Sequence, residues 1–285
     1  MANGHIRTYY NGTWHDGDVA VMNAADHGIW QGTSIFDGAR RFDGRTPDLL
    51  SHCTRANRSA RAMMLAPTMT PENMVDLVCE GLKGFDADAA IYIRPMYWAI
   101  DGNATLVAPD MDKTGFSLCL EEIAMPPASA TATLTRTRFR RPVLEDAVCN
   151  TKAGCLYPNN ARMMMEARSK GFLNALVADA LGNVAETATS NIFMVRDGAV
   201  FTPVPNGTFL AGITRSRIMH LLQEDGVEVH EAILSFDDFH AADEVFMTGN
   251  FSKVTPVTGF DDTSYQVGPI ATRARELYWD WAATT

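Results

Sequence analysis

Apolar and polar residues alternate in short β-rich runs through the first part of the chain, and Asn11-Gly12 and Asp43-Gly44 supply hairpin-type turns between them. From about residue 51 the spacing becomes helical and continues to 64, where Pro67 soon stops it. Thr70-Pro71-Glu72 predicts a second helix start, with the threonine as N-cap and the proline in the first turn. Met74, Val75, Val78 and Leu82 then give that helix one apolar face. Two strand-like runs follow, over 89–100 and 115–123.

The pattern breaks at 125–133 (MPPASATAT), where prolines and small residues carry neither charge nor periodicity. This stretch predicts a linker between an N-terminal part, 1–124, and a C-terminal part, 134–285. Beyond it, a helix is predicted over 159–170 and is ended by Gly171. Strands then alternate with turns at Gly182-Asn183 and Asp197-Gly198. A helix over 214–224 has Gly226 as its stop, a strand covers 244–248, and a last helix covers 269–283. The order of elements predicts an α+β chain in two parts.

Composition narrows the function classes. Hydrophobic residues make up 46% of the 285 and charged residues 20%, as in an ordinary globular enzyme. The net charge of -10 argues against a nucleic-acid or anionic-membrane partner. Residues 1–14 contain no apolar run of signal-peptide type, and Arg94 interrupts the apolar run 89–100, so no transmembrane helix is predicted. Cys53, Cys79, Cys119, Cys149 and Cys155 form no C-x-x-C pair, which fits buried, reduced thiols in a cytoplasm and no metal site.

Candidate chemistry begins at Lys152. Of the five lysines, Lys83 and Lys170 precede a glycine at a predicted helix end, and Lys113 and Lys253 fall in predicted loops. Lys152 instead sits among small residues, Asn150-Thr151-Lys152-Ala153-Gly154, where a desolvated amine can condense with a carbonyl group. The turn Gly212-Ile213-Thr214, opening a helix, leaves backbone N–H groups for an anion, and Thr248-Gly249-Asn250-Phe251-Ser252 is a second glycine turn of that kind. Glu186, at a strand end, could hold a proton on a heterocyclic nitrogen. Each has a plainer reading: a surface lysine, a threonine N-cap, a solvated glutamate. Arg40 and Arg41 fall on opposite faces if their run is a strand, and each reads as a solvated arginine.

Together these residues resemble the class IV aminotransferases. The matching runs are Thr151-Lys152-Ala153-Gly154 with Tyr157, Glu186-Thr187, Ser190-Asn191-Ile192-Phe193 and Leu210-Ala211-Gly212-Ile213-Thr214-Arg215. Nearer the N-terminus are Gly32 to Arg40, His52-x-x-Arg55 and Tyr92-Ile93-Arg94-Pro95; nearer the C-terminus is Ala242 to Gly249. The resemblance implies a two-domain, fold-type-IV pyridoxal 5'-phosphate (PLP) enzyme, with a small N-terminal α/β domain and a larger cofactor-binding domain. Lys152 would carry the cofactor and move the substrate proton. Glu186 would pair with the pyridine nitrogen and Tyr157 with the phenolic oxygen. Arg55, Ile213, Thr214 and Asn250 would hold the phosphate. Phe36, Tyr92 and Arg94 match the branched-chain subgroup, which implies an apolar L-amino acid donor, a 2-oxo acid acceptor such as 2-oxoglutarate, and a homodimer or higher symmetric oligomer. Gln31 stands where that subgroup has a tyrosine, and Asn250-Phe251 replaces a small Thr-Ala pair. The loop 101–109 lacks the subgroup's Gly-x-Gly element and 125–133 has no tyrosine to lend the pocket. These departures imply a reshaped pocket, for which the alternatives are a D-amino acid or (R)-amine transaminase of the same fold or, further off, an aminodeoxychorismate lyase.

Overall fold

Asn11 and Gly12 have φ of 49° and 79°, as a type I′ turn requires, and they join β1 (Ile6–Tyr10) to β2 (Thr13–Asp16). The computed structural model describes residues 4–285, so the first three residues of the polar N-terminal stretch lie outside it. Asp43 and Gly44 repeat the positive-φ pair, at 49° and 73°, and close a bridge between Phe42 and Arg45.

The chain forms two units. The first runs up to Met125 and takes in Thr151–Cys155; the second contains Pro126–Asn150 and Leu156–Thr284. In the first, α1 (His27–Trp30), β3 (Ser34–Phe36) and β4 (Ala39–Arg41) precede α2 (Leu49–Ala62) and α3 (Pro71–Leu82). Strands β5 (Ile91–Ala99) and β6 (Thr114–Glu122) complete a sheet of order β2-β1-β6-β5-β3, with β4 also on β5. Ala56 and Ala60 of α2, and Met74 and Val78 of α3, pack on Ile91 and Ile93 of β5 and Leu118 and Leu120 of β6. Fully burying a side chain such as Met74 or Val78 stabilises the fold by roughly 1.5–3 kcal/mol. The alternation of β5 turns Tyr92 and Arg94 to the opposite face, where both are half-buried. Thr70 caps α3 as predicted, accepting from the Asn73 N–H at 3.2 Å. Helix α2 starts two residues earlier than its periodicity suggests, behind Asp48, whose φ is 58°.

The second unit holds β7 (Ala132–Arg140), α4 (Tyr157–Ser169), β8 (Asn174–Ala178), β9 (Val184–Thr187), β10 (Asn191–Arg196) and β11 (Ala199–Pro203). It continues with α5 (Ile213–Glu224), β12 (Val229–Ala232), α6 (Phe236–His240), β13 (Glu244–Gly249), β14 (Lys253–Phe260), β15 (Thr263–Ser264) and α7 (Pro269–Ala282). Among the described residues its sheet has the order β12-β11-β10-β13-β14-β7-β8-β9, with β15 on β14. Gly171 and Gly226, both at φ 86°, end α4 and α5 as the sequence predicts. Ile192, Met194, Val245 and Val257 are core residues of this sheet, covered by Leu234 and Phe239.

Candidate active site

In the first unit the segment carrying Lys152 is built into the sheet. Ala153 bridges Ile35 of β3, and the Phe36 N–H donates to the Lys152 carbonyl at 3.2 Å. The Lys152 N–H in turn donates to Ser59 Oγ at 3.3 Å. A Cβ on Gly154 would meet Ser34 Oγ at 2.7 Å, so the glycine permits this close approach. With its backbone held on both sides, Lys152 places Nζ 4.5 Å from the centre of the Phe36 ring.

Ser59 lies one helical turn after Arg55, so α2 presents both on one face. Arg55 Nε and Nη2 donate to the two oxygens of Asp37 at 2.7 and 2.8 Å. His52 Nδ1 stands 2.8 Å from the same carboxylate, and the Gly38 N–H donates to it at 2.7 Å. Asp37 is wholly buried. Burial alone would raise its pKa, but the charge and hydrogen bonds of Arg55, then of His52, outweigh it and hold the carboxyl well below the usual range. The residues 36–37 therefore connect Lys152 to Arg55 within this unit.

On the outer face of β5, Arg94 lies 5.2 Å from the centre of the Tyr92 ring and pairs with Glu121 at 2.8 Å. Tyr92 is paired across the sheet with Arg40. The expectation that Arg40 and Arg41 are solvated is wrong: both are buried. Both donate to backbone carbonyls, Arg40 to Ile123 at 2.7 Å and Arg41 to Ala89 at 3.1 Å. Burial pushes the Arg40 guanidinium down to about 10. Gln31 is the exposed C-cap of α1.

The second unit carries the other candidates. Glu186, in β9, is buried rather than solvated: it pairs with Arg141 Nε at 3.0 Å. Arg141 also donates to the carbonyls of Thr187 and Ala188 at 3.0 and 3.2 Å, so it is fixed independently of the glutamate. Tyr157 opens α4 and is half-buried.

Helix α5 does not use Thr214 as its N-cap. Gly212 takes that place without any side-chain cap, which makes Ile213 the first helical residue and buries Thr214 in the first turn. The amides at the helix start thus have no capping side chain. Asn191 braces the turn, donating to the Leu210 carbonyl at 2.9 Å and reaching Glu186 Oε2 at 3.5 Å. A Cβ at Gly212 would meet Asn191 Oδ1 at 2.1 Å, so only glycine fits. At the end of β13 and in the turn after it, Thr248 Oγ1 and Asn250 Nδ2 are buried with no protein partner. Phe251 beside them is 52% exposed.

These features fit a phosphorylated pyridine ring. Buried donors lacking an acceptor, an uncapped helix start and a braced carboxylate are what such a group needs. Sequence reasoning missed Asp37 as the partner of Arg55, Arg141 as the partner of Glu186, and Lys253, which is wholly buried in β14 rather than in a loop. Cys53, Cys119 and Cys149 are buried as expected, whereas Cys79 and Cys155 are exposed. Among the described residues there is no cluster suited to a metal ion, and no helix is long and apolar enough to cross a membrane.

The family model for amino-transferase class IV matches residues 34–260. The chain belongs to that family: it is an α+β, fold-type-IV aminotransferase that uses PLP. It is 31% identical to a putative branched-chain-amino-acid aminotransferase of Methanocaldococcus jannaschii, with 96% of each chain covered. It is 27% identical to the branched-chain-amino-acid aminotransferase of Escherichia coli K12, over 95% of this chain and 91% of that one. Among solved structures it resembles an aminotransferase from Brucella abortus bound to PLP, with TM-score 0.96 and 57% identity over 98% of this chain and 99% of that one. The branched-chain aminotransferase of Thermoproteus uzoniensis with norvaline gives TM-score 0.90 and 26% identity over 99% and 96%.

Proposed function

We propose that the enzyme moves the amino group of a branched-chain or related apolar L-amino acid to a 2-oxo acid such as 2-oxoglutarate, with Lys152 as the catalytic residue. The observation that carries the proposal is the lysine itself. Its backbone is pinned to Phe36 and Ser59, and its amine stands over the Phe36 ring. PLP, when bound, supplies an aldehyde that condenses with amines and a ring that withdraws electrons. Lys152 Nζ would take the proton from the donor's Cα as general base and give it to the cofactor as general acid. Glu186, braced by Arg141, holds the proton on the ring nitrogen, and the Tyr157 phenol hydrogen-bonds the ring oxygen. Arg55, the amides of Ile213 and Thr214, and Asn250 bind the phosphate. Tyr92 and Arg94 receive the substrate carboxylate in a pocket that Asn250 and Phe251 reshape, while Phe36 and Gln31 shape the side-chain pocket.

The names of the relatives support the donor assigned here. The five free cysteines support a reducing compartment, for which the cytoplasm is the natural choice. A homodimer or higher symmetric oligomer completes the reading, and light scattering tests it.

The deciding experiment mixes the PLP-loaded protein separately with L-leucine, D-alanine and (R)-1-phenylethylamine and follows the cofactor's absorption band. Loss of the band with L-leucine alone is expected. Loss only with D-alanine or the amine would transfer the enzyme to the D-amino acid or (R)-amine subgroup, and product formed without an acceptor would make it a lyase. Lys152→Ala should lower turnover by several orders of magnitude; undiminished steady turnover in that variant would sink the assignment.

A further inference from the structure

Lys253 combines features that each cost free energy. It is wholly buried, and its φ of 63° lies in the left-handed region that side chains with a Cβ avoid. The residue follows the three-residue loop between β13 and β14, in register with Gly249. Hairpin loops of that length close on a left-handed residue, a place that glycine ordinarily takes. A glycine here would remove the strain and the buried amine together. Strain kept against such an easy remedy points to a task.

The contacts show what the task is. Lys253 Nζ donates to Asn250 Oδ1 at 2.7 Å and lies 5.5 Å from the centre of the Tyr278 ring. A lysine ammonium has donors and no acceptor, so the Asn250 amide can face it only through oxygen. Its Nδ2 must therefore point away, and that nitrogen is buried with no protein partner. Thr248 Oγ1, on the other side of Gly249, is in the same state. A Cβ at Gly249 would stand 3.0 Å from Ser190 Oγ, so the glycine permits the close approach of this turn to Ser190.

We infer that Lys253 is a positioning residue for the cofactor phosphate: it fixes Asn250 with Nδ2 turned to the anion and sets a buried positive charge behind it. This rests on the assignment of Asn250 to the phosphate. The two layers divide the work. The amide supplies a directed hydrogen bond, and the amine behind it favours a dianion over a neutral group at the same distance.

The test titrates the full chain, stripped of cofactor, with PLP and with pyridoxal, which lacks the phosphate. Lys253→Met, similar in volume and uncharged, should weaken PLP binding by about tenfold or more and leave pyridoxal binding unchanged. Equal changes for the two ligands, or none, overturn the inference. Asn250→Ala is measured beside it. If that variant keeps the full preference for PLP over pyridoxal, the assignment of Asn250 to the phosphate fails and the role of Lys253 with it. If Asn250→Ala erodes the preference and Lys253→Met does not, the role of Lys253 alone fails. Should Lys253→Met not fold, a crystal structure of the wild-type holoenzyme decides. Asn250 Nδ2 at about 3 Å from a phosphate oxygen, with Lys253 still on Oδ1, supports the inference. An Asn250 turned away, or Lys253 directly on the phosphate, overturns it.

Discussion

Asp37 fixes two of the five guanidinium N–H donors of Arg55 and so decides where the rest can point. Removing one partner from a buried, hydrogen-bonded ion pair leaves the other charge uncompensated. Asp37→Asn should accordingly destabilise the fold by about 3–5 kcal/mol, read from chemical denaturation at neutral pH. The same carboxyl predicts a pH dependence. Its folded-state pKa is depressed below the ordinary 3.8 by Arg55 and His52 against the opposing effect of burial. Its stabilisation is therefore fully present above about pH 4 to 5 and is lost as the pH falls toward the folded-state value. In Asp37→Asn this part of the acid limb should flatten; an unchanged limb would show that other carboxylates dominate it. Residues of this kind were poorly legible. Lys152, Tyr157 and Glu186 announce themselves through neighbours in the chain, whereas Arg141 sits in the run Arg138-Phe139-Arg140-Arg141, which reads as a basic surface. Its burial comes from carbonyls and a glutamate more than 40 positions away, and no local pattern records that.

Among elements, those with punctuated ends were legible. Thr70-Pro71 starts α3, Gly171 and Gly226 follow α4 and α5, and Asn-Gly and Asp-Gly pairs close the hairpins. Strand β7 was not, because arginines at positions 136, 138 and 140 give it a polar second half. The start of α5 was misplaced for another reason. A threonine ordinarily caps, but here the cap is a glycine, so the helix amides have no capping side chain and the Asn191 side chain can approach. Gly212→Ala tests this arrangement. Its Cβ would lie 2.1 Å from Asn191 Oδ1, so either that side chain or the turn must shift. Retention of PLP should fall about tenfold or more, equivalent to about 1.4 kcal/mol, while the melting temperature changes by only a few degrees. Wild-type retention, measured from the cofactor's absorbance after dialysis, would mean that the turn does not serve the phosphate.

For the molecule as a whole, composition excluded partners better than it identified a substrate. A net charge of -10 argues against nucleic acid, yet it says nothing about which amino acid enters. Gln31 and Phe251, which depart from the branched-chain pattern, are both exposed. Specificity is the least local property of the chain, and the absorption experiment reads it directly. Chain connectivity sets one more limit. Because Thr151–Cys155 belongs to the first unit, no single cut in the gene yields two self-sufficient halves. A fragment ending at Met125 keeps Ile35 but lacks Ala153, its bridging partner, and the lysine next to it. The complementary fragment carries that lysine without Ile35, the bridging partner of Ala153. Expressed separately, each piece would hold one side of that bridge, as a zip holds one row of teeth until the other is brought to it.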